Sequence, residues 1–384
     1  MTNNILTVSK WDGTLTEPLT SVVNASFNLS WESNSTYQIT FTAYSDDSVG
    51  YALLMSENII NWQGQRFVIK QSVPNYSGRY NTVAITATHI YLDVRKIFKH
   101  DKKTGTLTYS VSDVLAFYFD KNNFGYSYEV KGNFEKKQIT DLGGNNGFDC
   151  LSQIVSTWPD AYIYPDDKKI VVYDKENFSK NLGNRLGYGY NSDNITLTYD
   201  STTLVNQLTV ISKQKDDGSY YFDPHIIKDD TSISEYGVWD GGDFSDERFT
   251  DVNNSDNAAK ATLVTEPTIS VTLDYYDDDE PIPGEMKRLE ILDTGFITDV
   301  MVVSFNYYPL DHNQKTSLTL NSNAKTILDF QKSNRSQLNQ AKQNSLALQN
   351  AIQEVNNQVS EVSKSVKEVI NNQPKIWVVG QSKE

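Results

Sequence analysis

The chain has 384 residues and a formal net charge of −15, with 38% apolar and 22% charged residues. That is a folded composition, long enough for roughly two to four domains. The acidic balance argues against a surface built to grip phosphates, the single cysteine, Cys150, excludes an intramolecular disulfide and a multi-cysteine metal site, and no apolar run reaches the ~20 residues of a membrane span. The opening MTNNILTVSKWDG carries no basic-then-apolar leader, so the expectation is synthesis in a cytoplasm without an export address. The 23 Tyr, 16 Phe and 6 Trp favour β-structure, since aromatics suit a pleated, half-buried surface.

Residues 1–95 read as short strands. Tyr37, Ile39, Phe41 and Ala43 alternate with Gln38, Thr40 and Thr42, the period of a half-buried strand. Further strands are expected at Tyr51–Met55, after the Ser45-Asp46-Asp47 turn, and at Arg66–Lys70, after Gly64. Val83, Ile85, Ala87, His89 and Tyr91 form one face of a longer strand. This spacing predicts a small β-barrel or sandwich. Residues 96–213 mix element types. Ser112 is expected to cap a helix through Val114, Leu115 and Tyr118, and Asn145 or Asn146 a second, with Phe148, Leu151, Val155 and Trp158 on one face and Pro159 closing it. Strands Ala161–Tyr164 and Ile170–Tyr173 flank the turn Pro165-Asp166-Asp167-Lys168, and Ile195–Tyr199 and Leu204–Ile211 follow.

Residues 214–322 combine an acidic, turn-rich surface excursion, over about 214–258, with a second β-barrel. A short helix is expected at Asn257–Leu263 and strands at Thr268–Asp274, Leu289–Leu292, Val300–Tyr307 and Ser317–Leu320. In residues 323–372 aromatics fall to one, Phe330, and a heptad pattern begins. Leu338, Ser345, Ile352, Val359 and Val366 recur every seventh position, as do Ala341, Leu348, Val355, Val362 and Val369, three places later. A surface helix would drift off this register. At 1.5 Å per residue the stretch makes a rod of roughly 70 Å, and β-branched residues in both rows favour three strands or more, so a parallel trimeric coiled coil is predicted. A hairpin partner inside the monomer is the alternative, but the chain offers no second heptad stretch. Residues 373–384 form a C-terminal tail.

The four histidines, His89, His100, His225 and His312, form no metal-binding or metalloprotease spacing. His89 and His225 read as packed or hydrogen-bonded rather than catalytic. No nucleophile elbow or phosphate-binding loop is present, and Gly183, Gly187 and Gly189 fall at irregular intervals. Cys150 reads as a core residue. The acidic runs Asp240–Glu247 and Asp277–Glu280 read as solvated loops, with a divalent-cation site as the alternative. No catalytic, cofactor-binding or metal-ligating residue is assigned, and no cofactor.

The segment ATHIYLDVRK (87–96) resembles a strand of the prophage endopeptidase tail family, also labelled tail-associated lysins, through Ala87, His89, Ile90 and Asp93, with Thr88 where the family has Glu. NITLTYDSTTLVNQLTVISKQKDDGS, HIIKDDTSISEYGVWDG, DNAAKATLVTEPTISVTLDYYD, PIPGEMKRLEI and FITDVMVVSFNYYPL are similar, in order, to later segments of that family, so the resemblance spans residues 80–325. It implies a mainly β fold with an α+β middle, like the central baseplate hub of contractile phages. Two β-barrel domains per chain would there form a trimeric, pseudo-hexameric ring that continues and closes the tail tube. It implies a place at the virion's tail tip, with a ring of distal tail protein, the tape measure protein and receptor-binding or baseplate proteins as partners, and DNA passing without specific binding. Long members carry a lytic domain after the hub; here the chain is expected to lack it. A carbohydrate-binding trimeric adhesin, with exposed Tyr and Trp for sugar stacking, and a wall hydrolase acting through an acidic pair are the competing readings.

Overall fold

The structure is a computed structural model and describes residues 5–77, 80–215, 217–246, 249–277, 279–292 and 296–322, with residues 353, 360, 362–365 and 367, all helical, in a separate C-terminal unit. The N-terminal module comprises β1 (Thr7–Ser9), β2 (Thr16–Pro18), β3 (Asn28–Glu32), β4 (Thr36–Tyr44), a helical turn α1 (Val49–Ala52), β5 (Ile59–Trp62), β6 (Gln65–Ser77) and β7 (Tyr80–His89). In β4 the alternation is real burial, with Tyr37, Ile39, Phe41 and Ala43 facing the core. Tyr51–Met55, expected as a strand, begins inside α1 instead, because the Ser48 hydroxyl accepts the Tyr51 N–H at 3.0 Å and starts a helix. The long strand ends at His89 rather than Tyr91. There the His89 ring accepts the Tyr91 N–H and the chain turns into a 3-10 helix, Ile90–Lys96.

The middle module runs β8 (Lys102–Tyr109), α2 (Val111–Phe119), β9 (Ser127–Lys131), β10 (Lys137–Gly143), α3 (Gly147–Thr157), β11 (Tyr162–Ile163), β12 (Lys169–Tyr173) and α4 (Lys175–Phe178). Ser110, not Ser112, caps α2, since Ser110 has Asp113 three residues on and the two close a capping box. Asn146 and Asp149 make the same box on α3.

The C-terminal module comprises β13 (Lys180–Gly187), β14 (Ser192–Asp200), β15 (Gln207–Ile211), β16 (His225–Lys228), α5 (Asp230–Tyr236), β17 (Asp240–Ser245), α6 (Val252–Lys260), β18 (Thr268–Tyr275), β19 (Glu285–Ile291), β20 (Phe296–Tyr307) and β21 (Thr316–Ser322). The stretch expected as a surface excursion is a folded insert. A three-stranded sheet, β16-β15-β17, packs with α6 around Leu208, Val210, Ile227 and Ala259, and a bridge between Val205 and Val264 closes its base. Its helix starts at the Asp251 cap rather than near Asn257, because Asp251 accepts the Asn254 N–H.

Two separate barrels were expected. Among the described residues no barrel closes. The strands of both modules make one sheet, β14-β18-β21-β20-β3-β4-β7-β6-β5-β1-β2, with β19 and β13 branching from β20. The first half of β20 pairs with β19 and its last residues pair with β3, Phe305 opposite Trp31 and Tyr307 opposite Leu29.

The eight central strands are one pattern used twice. In β3-β4-β7-β6 and in β14-β18-β21-β20 the first strand in sequence pairs with the second, the second with the fourth, and the fourth with the third. Leu29 faces Ile39 and Trp31 faces Tyr37, as Leu197 faces Val271 and Tyr199 faces Ile269. The third strand bulges at the same place in each, between Ile69 and Gln71 and between Val302 and Ser304. The sequences of the first strands follow suit, NLSWE (28–32) and TLTYD (196–200).

Asn206 ties the insert together. Fully buried, it donates to Gly237 O at 2.8 Å and to Ser232 Oγ at 3.1 Å and accepts the Trp239 N–H at 2.8 Å. Asn206→Ala takes the side-chain partner from the buried Ser232 hydroxyl, the Gly237 carbonyl and the Trp239 N–H and is expected to cost about 1–3 kcal/mol. Amide exchange should rise selectively across residues 205–264, with the remaining sheet still protected.

Candidate functional site

The three modules meet in one aromatic cluster. Trp31 of β3 lies 5.7 Å from Phe305 of β20, 6.0 Å from Tyr164 after β11 and 6.3 Å from Phe178 of α4. Tyr37 stacks near Tyr164, and Tyr162 stacks on Phe178 at 4.7 Å. Gly284 sits directly against Phe178: a Cβ there would come within 2.4 Å of its carbonyl oxygen, and the backbone φ of +75° suits glycine as well.

A polar collar surrounds the cluster. Asn34 donates to Ala161 O at 2.7 Å and accepts the Ile163 N–H at 2.8 Å, clamping β11 to the β3–β4 turn. His89 is fully buried and stacked on Tyr37 at 4.5 Å. Burial pushes its pKa down to about 3, so the ring is neutral. With Nδ1 accepting from Tyr91, the proton sits on Nε2, which donates to Gln65 Oε1 at 3.0 Å. The same oxygen accepts the Asp167 N–H at 2.7 Å, while Asp167 pairs two-pronged with Arg66. Glu280, beside Tyr37 and Tyr164 and hydrogen-bonded to Gln63, is pushed up to about 7 by burial.

Two charge clusters lock neighbouring elements. Buried Asp93 lies 2.8 Å from both Lys70 and Lys96, and Glu57 reaches the same two lysines, pinning the 3-10 helix to β6. On strand β19 Lys287 and Glu285 are both buried and 2.9 Å apart. Asn184 donates to Glu285 at 2.6 Å, and the ammonium sits 5.1 Å from the centre of the Tyr275 ring. Each buried charge has a partner, as burial demands.

Of the residues singled out in the sequence, Leu338, Ala341, Ser345, Leu348, Ile352, Val355, Val359, Val366 and Val369 lie outside the described residues. Val362 is helical and exposed. Cys150 is fully buried on α3, and burial pushes its thiol well up, away from nucleophilic thiolate. His225 bonds Asp256 at 2.7 Å within the insert; its pKa is raised by the Asp223 carbonyl and then by Asp256. His100 packs beside Phe98. Asp240 accepts from Gly242 N and Gln207 Nε2, and Asp277 accepts the Tyr275 hydroxyl. Among the described residues no three His, Cys, Asp or Glu side chains converge as a metal site requires.

A cleft of about 520 Å³ on the middle module is lined by Phe134, Glu135, Trp158, Pro159, Asp160 and Asp174. The Asp174 carboxylate already accepts the Asn133 and Asn177 N–H groups, which hold it low, so it offers no proton. Among the described residues no strand pairs with the outer side of β14 or with the outer half of β6 past Ile69. Neither edge nor the aromatic junction was found from the sequence. Asn34 and Phe178 carry no local signal, whereas the likeness of 28–32 to 196–200 could have revealed the repeated sheet.

A family model described as prophage endopeptidase tail matches residues 180–331. Models of its N-terminal domain and of its tail domain match residues 6–89 and 97–172. Among solved structures, the chain is similar in fold to prophage tail protein gp18 from Listeria monocytogenes EGD-e, with 24% identity and a TM-score of 0.65 over 87% of this chain and 99% of that one. It is also similar to the 43 kDa tail protein of prophage MuSo2 from Shewanella oneidensis (10% identity, TM-score 0.57, 84% and 99% covered). A tail protein from Neisseria meningitidis MC58 is comparable (11% identity, TM-score 0.56, 83% and 96% covered). No curated protein matches the chain.

Glu280 makes the junction sensitive to pH. Its folded-state pKa of about 7 stands above the ordinary 4.5, so its contribution is full below 4.5 and is lost as pH rises through 7. Glu280→Gln is therefore expected to be more stable than the parent near pH 8, by roughly 1–3 kcal/mol, with the difference shrinking toward pH 4.5; denaturant melts at both values measure it.

Proposed function

We propose, on the premise that the chain belongs to the prophage endopeptidase tail family, that it is a structural component of a phage tail. Its place is the tail tip, as a trimeric hub like that of contractile-phage baseplates, which continues the tail tube, closes it and opens when the virion adsorbs. The ring of distal tail protein, the tape measure protein and receptor-binding or baseplate proteins are its neighbours. Its work is mechanical rather than catalytic.

The duplicated sheet carries this reading. Three chains can continue a sixfold tube if each supplies two wall units of the same geometry, and this chain holds two four-strand units of one topology, joined edge to edge. The net charge of −15 suits a wall past which DNA slides without adhering. The heptad rows Leu338 to Val366 and Ala341 to Val369 supply a threefold zipper. Two groups of a type used in catalysis serve the fold here: His89 is sealed and neutral, and the Cys150 thiol is buried. Opening would be a two-state rearrangement of the interface between chains.

The full chain, of 43.5 kDa, is expected to sediment as a trimer at micromolar concentration. Ile352→Asp with Val359→Asp places charges in the zipper and is expected to weaken assembly by about tenfold or more. A zymogram on purified cell wall should remain uncleared. A single sedimenting copy of the unaltered chain, or clearing of the wall, overturns the reading.

A further inference from the structure

We propose that Lys287 and Asn184 join in an intramolecular isopeptide bond, promoted by Glu285, which staples β13 to β19. The proposal goes beyond the tail reading and does not depend on how many chains assemble. Three side chains carry it. Glu285 and Lys287 stand two residues apart on β19, hence on one face of the strand, and are 1% and 3% exposed. The Lys287 Nζ lies 2.9 Å from Glu285 Oε2, and Asn184 Nδ2 donates to Glu285 Oε1 at 2.6 Å. One carboxylate thus holds an amine and an amide side by side, one on each oxygen.

A bulge in β13 makes this juxtaposition. The two strands run parallel, pairing Asn181 with Met286 and, after an irregularity, Arg185 with Arg288. Counting on from Asn181, Leu182 would stand opposite Lys287; counting back from Arg185, Asn184 does. The extra residues are taken up in a turn, where the Asn181 side chain accepts the Gly183 N–H at 3.0 Å and Gly183 adopts a φ of +77°. The inner side of the site is dry. The Tyr275 ring centre lies 5.1 Å from Lys287 Nζ, and Leu289, next on the same face, and Val300, paired with Lys287, are fully buried. Asn184 is on the outer, exposed side, where it and Lys287 line a cleft of about 280 Å³.

Each step of the reaction is one that these groups can perform. A proton passing from ammonium to carboxylate along the 2.9 Å contact leaves a neutral amine and a carboxylic acid, a form open to a pair removed from water. The desolvated amine is a nucleophile. Its lone pair attacks Asn184 Cγ, and the Nζ–Cγ bond forms. Glu285 gives its proton to Nδ2 and takes one from Nζ. The Cγ–Nδ2 bond breaks, and ammonia leaves through the cleft. A lysine amine and a primary amide thereby become a secondary amide and ammonia, with nothing oxidised or reduced. Amides resist amines in solution; holding both groups on one carboxylate supplies the proximity that the attack requires. The product closes residues 184–287, which include the whole insert, into a covalent loop, and so restricts the unfolded chain as a disulfide does.

The test is the intact mass of the purified full chain, followed by a protease digest. The parent is expected to be lighter than its sequence mass by one ammonia and to yield a branched peptide joining Asn184 to Lys287. Lys287→Arg keeps the cation without the nucleophile, and Asn184→Ala removes the electrophile at an exposed position. Both are expected at full sequence mass, and both should migrate more slowly than the parent on a denaturing gel, where the parent's loop stays closed. Asn184→Asp offers the same carbon and is expected to lose one water instead. Glu285→Gln keeps the shape without the proton relay and is expected to slow bond formation by about a hundredfold or more. A parent at full sequence mass overturns the proposal. So does an ammonia loss that persists in Asn184→Ala or Lys287→Arg, because it then arises elsewhere, as through a succinimide at Asn146-Gly147.

Discussion

Strand β20 is too long for its hairpin partner, and the rest of the molecule is arranged around that excess. Residues 296–301 satisfy their outer backbone groups on β19. The bulge past Val302 shifts the strand, and residues 304–307 satisfy theirs on β3, a strand some 270 residues earlier in the chain. A sheet cannot be cut at such a place without exposing paired backbone groups to each other's absence, so the N-terminal and C-terminal modules form one continuous sheet. Phe305 and Trp31, directly opposed across this joint, give the aromatic cluster its centre, and aromatic pairs of this kind contribute about 0.5–1.5 kcal/mol each beyond the area they bury.

The middle module is held to this sheet by a different chemistry. Its contacts run through side chains: Asn34 on the backbone of β11, Gln65 and Arg66 on the Asp167 turn, Phe178 under Trp31 and against Gly284. Backbone ladders resist shear, whereas side-chain collars can be rearranged one group at a time. The titrating groups of the junction sit in this collar, with His89 held neutral and Glu280 raised toward neutrality, and both abut Tyr37. Of the three modules, the middle one is the module whose attachments to the sheet can change one group at a time.

What could be read from the sequence was whatever is local. The period-two burial of β4 was legible because it needs nine consecutive residues and nothing else. Helix α3 was legible by its Asn146 cap, whereas α2 was legible by its apolar residues Val114, Leu115 and Tyr118 and its cap was misplaced at Ser112, because two serines compete there and only Ser110 has an acid at the third position. The folded insert was misread as a loop because its core residues, Val205, Leu208, Ile227, Phe244 and Ala259, are spread thinly among Asp and Gly in short elements. The joint between Phe305 and Trp31 is a long-range pairing that no window can see. The repeat was visible in NLSWE and TLTYD, five residues long, but it acquires meaning only when both strands are known to begin a four-strand unit.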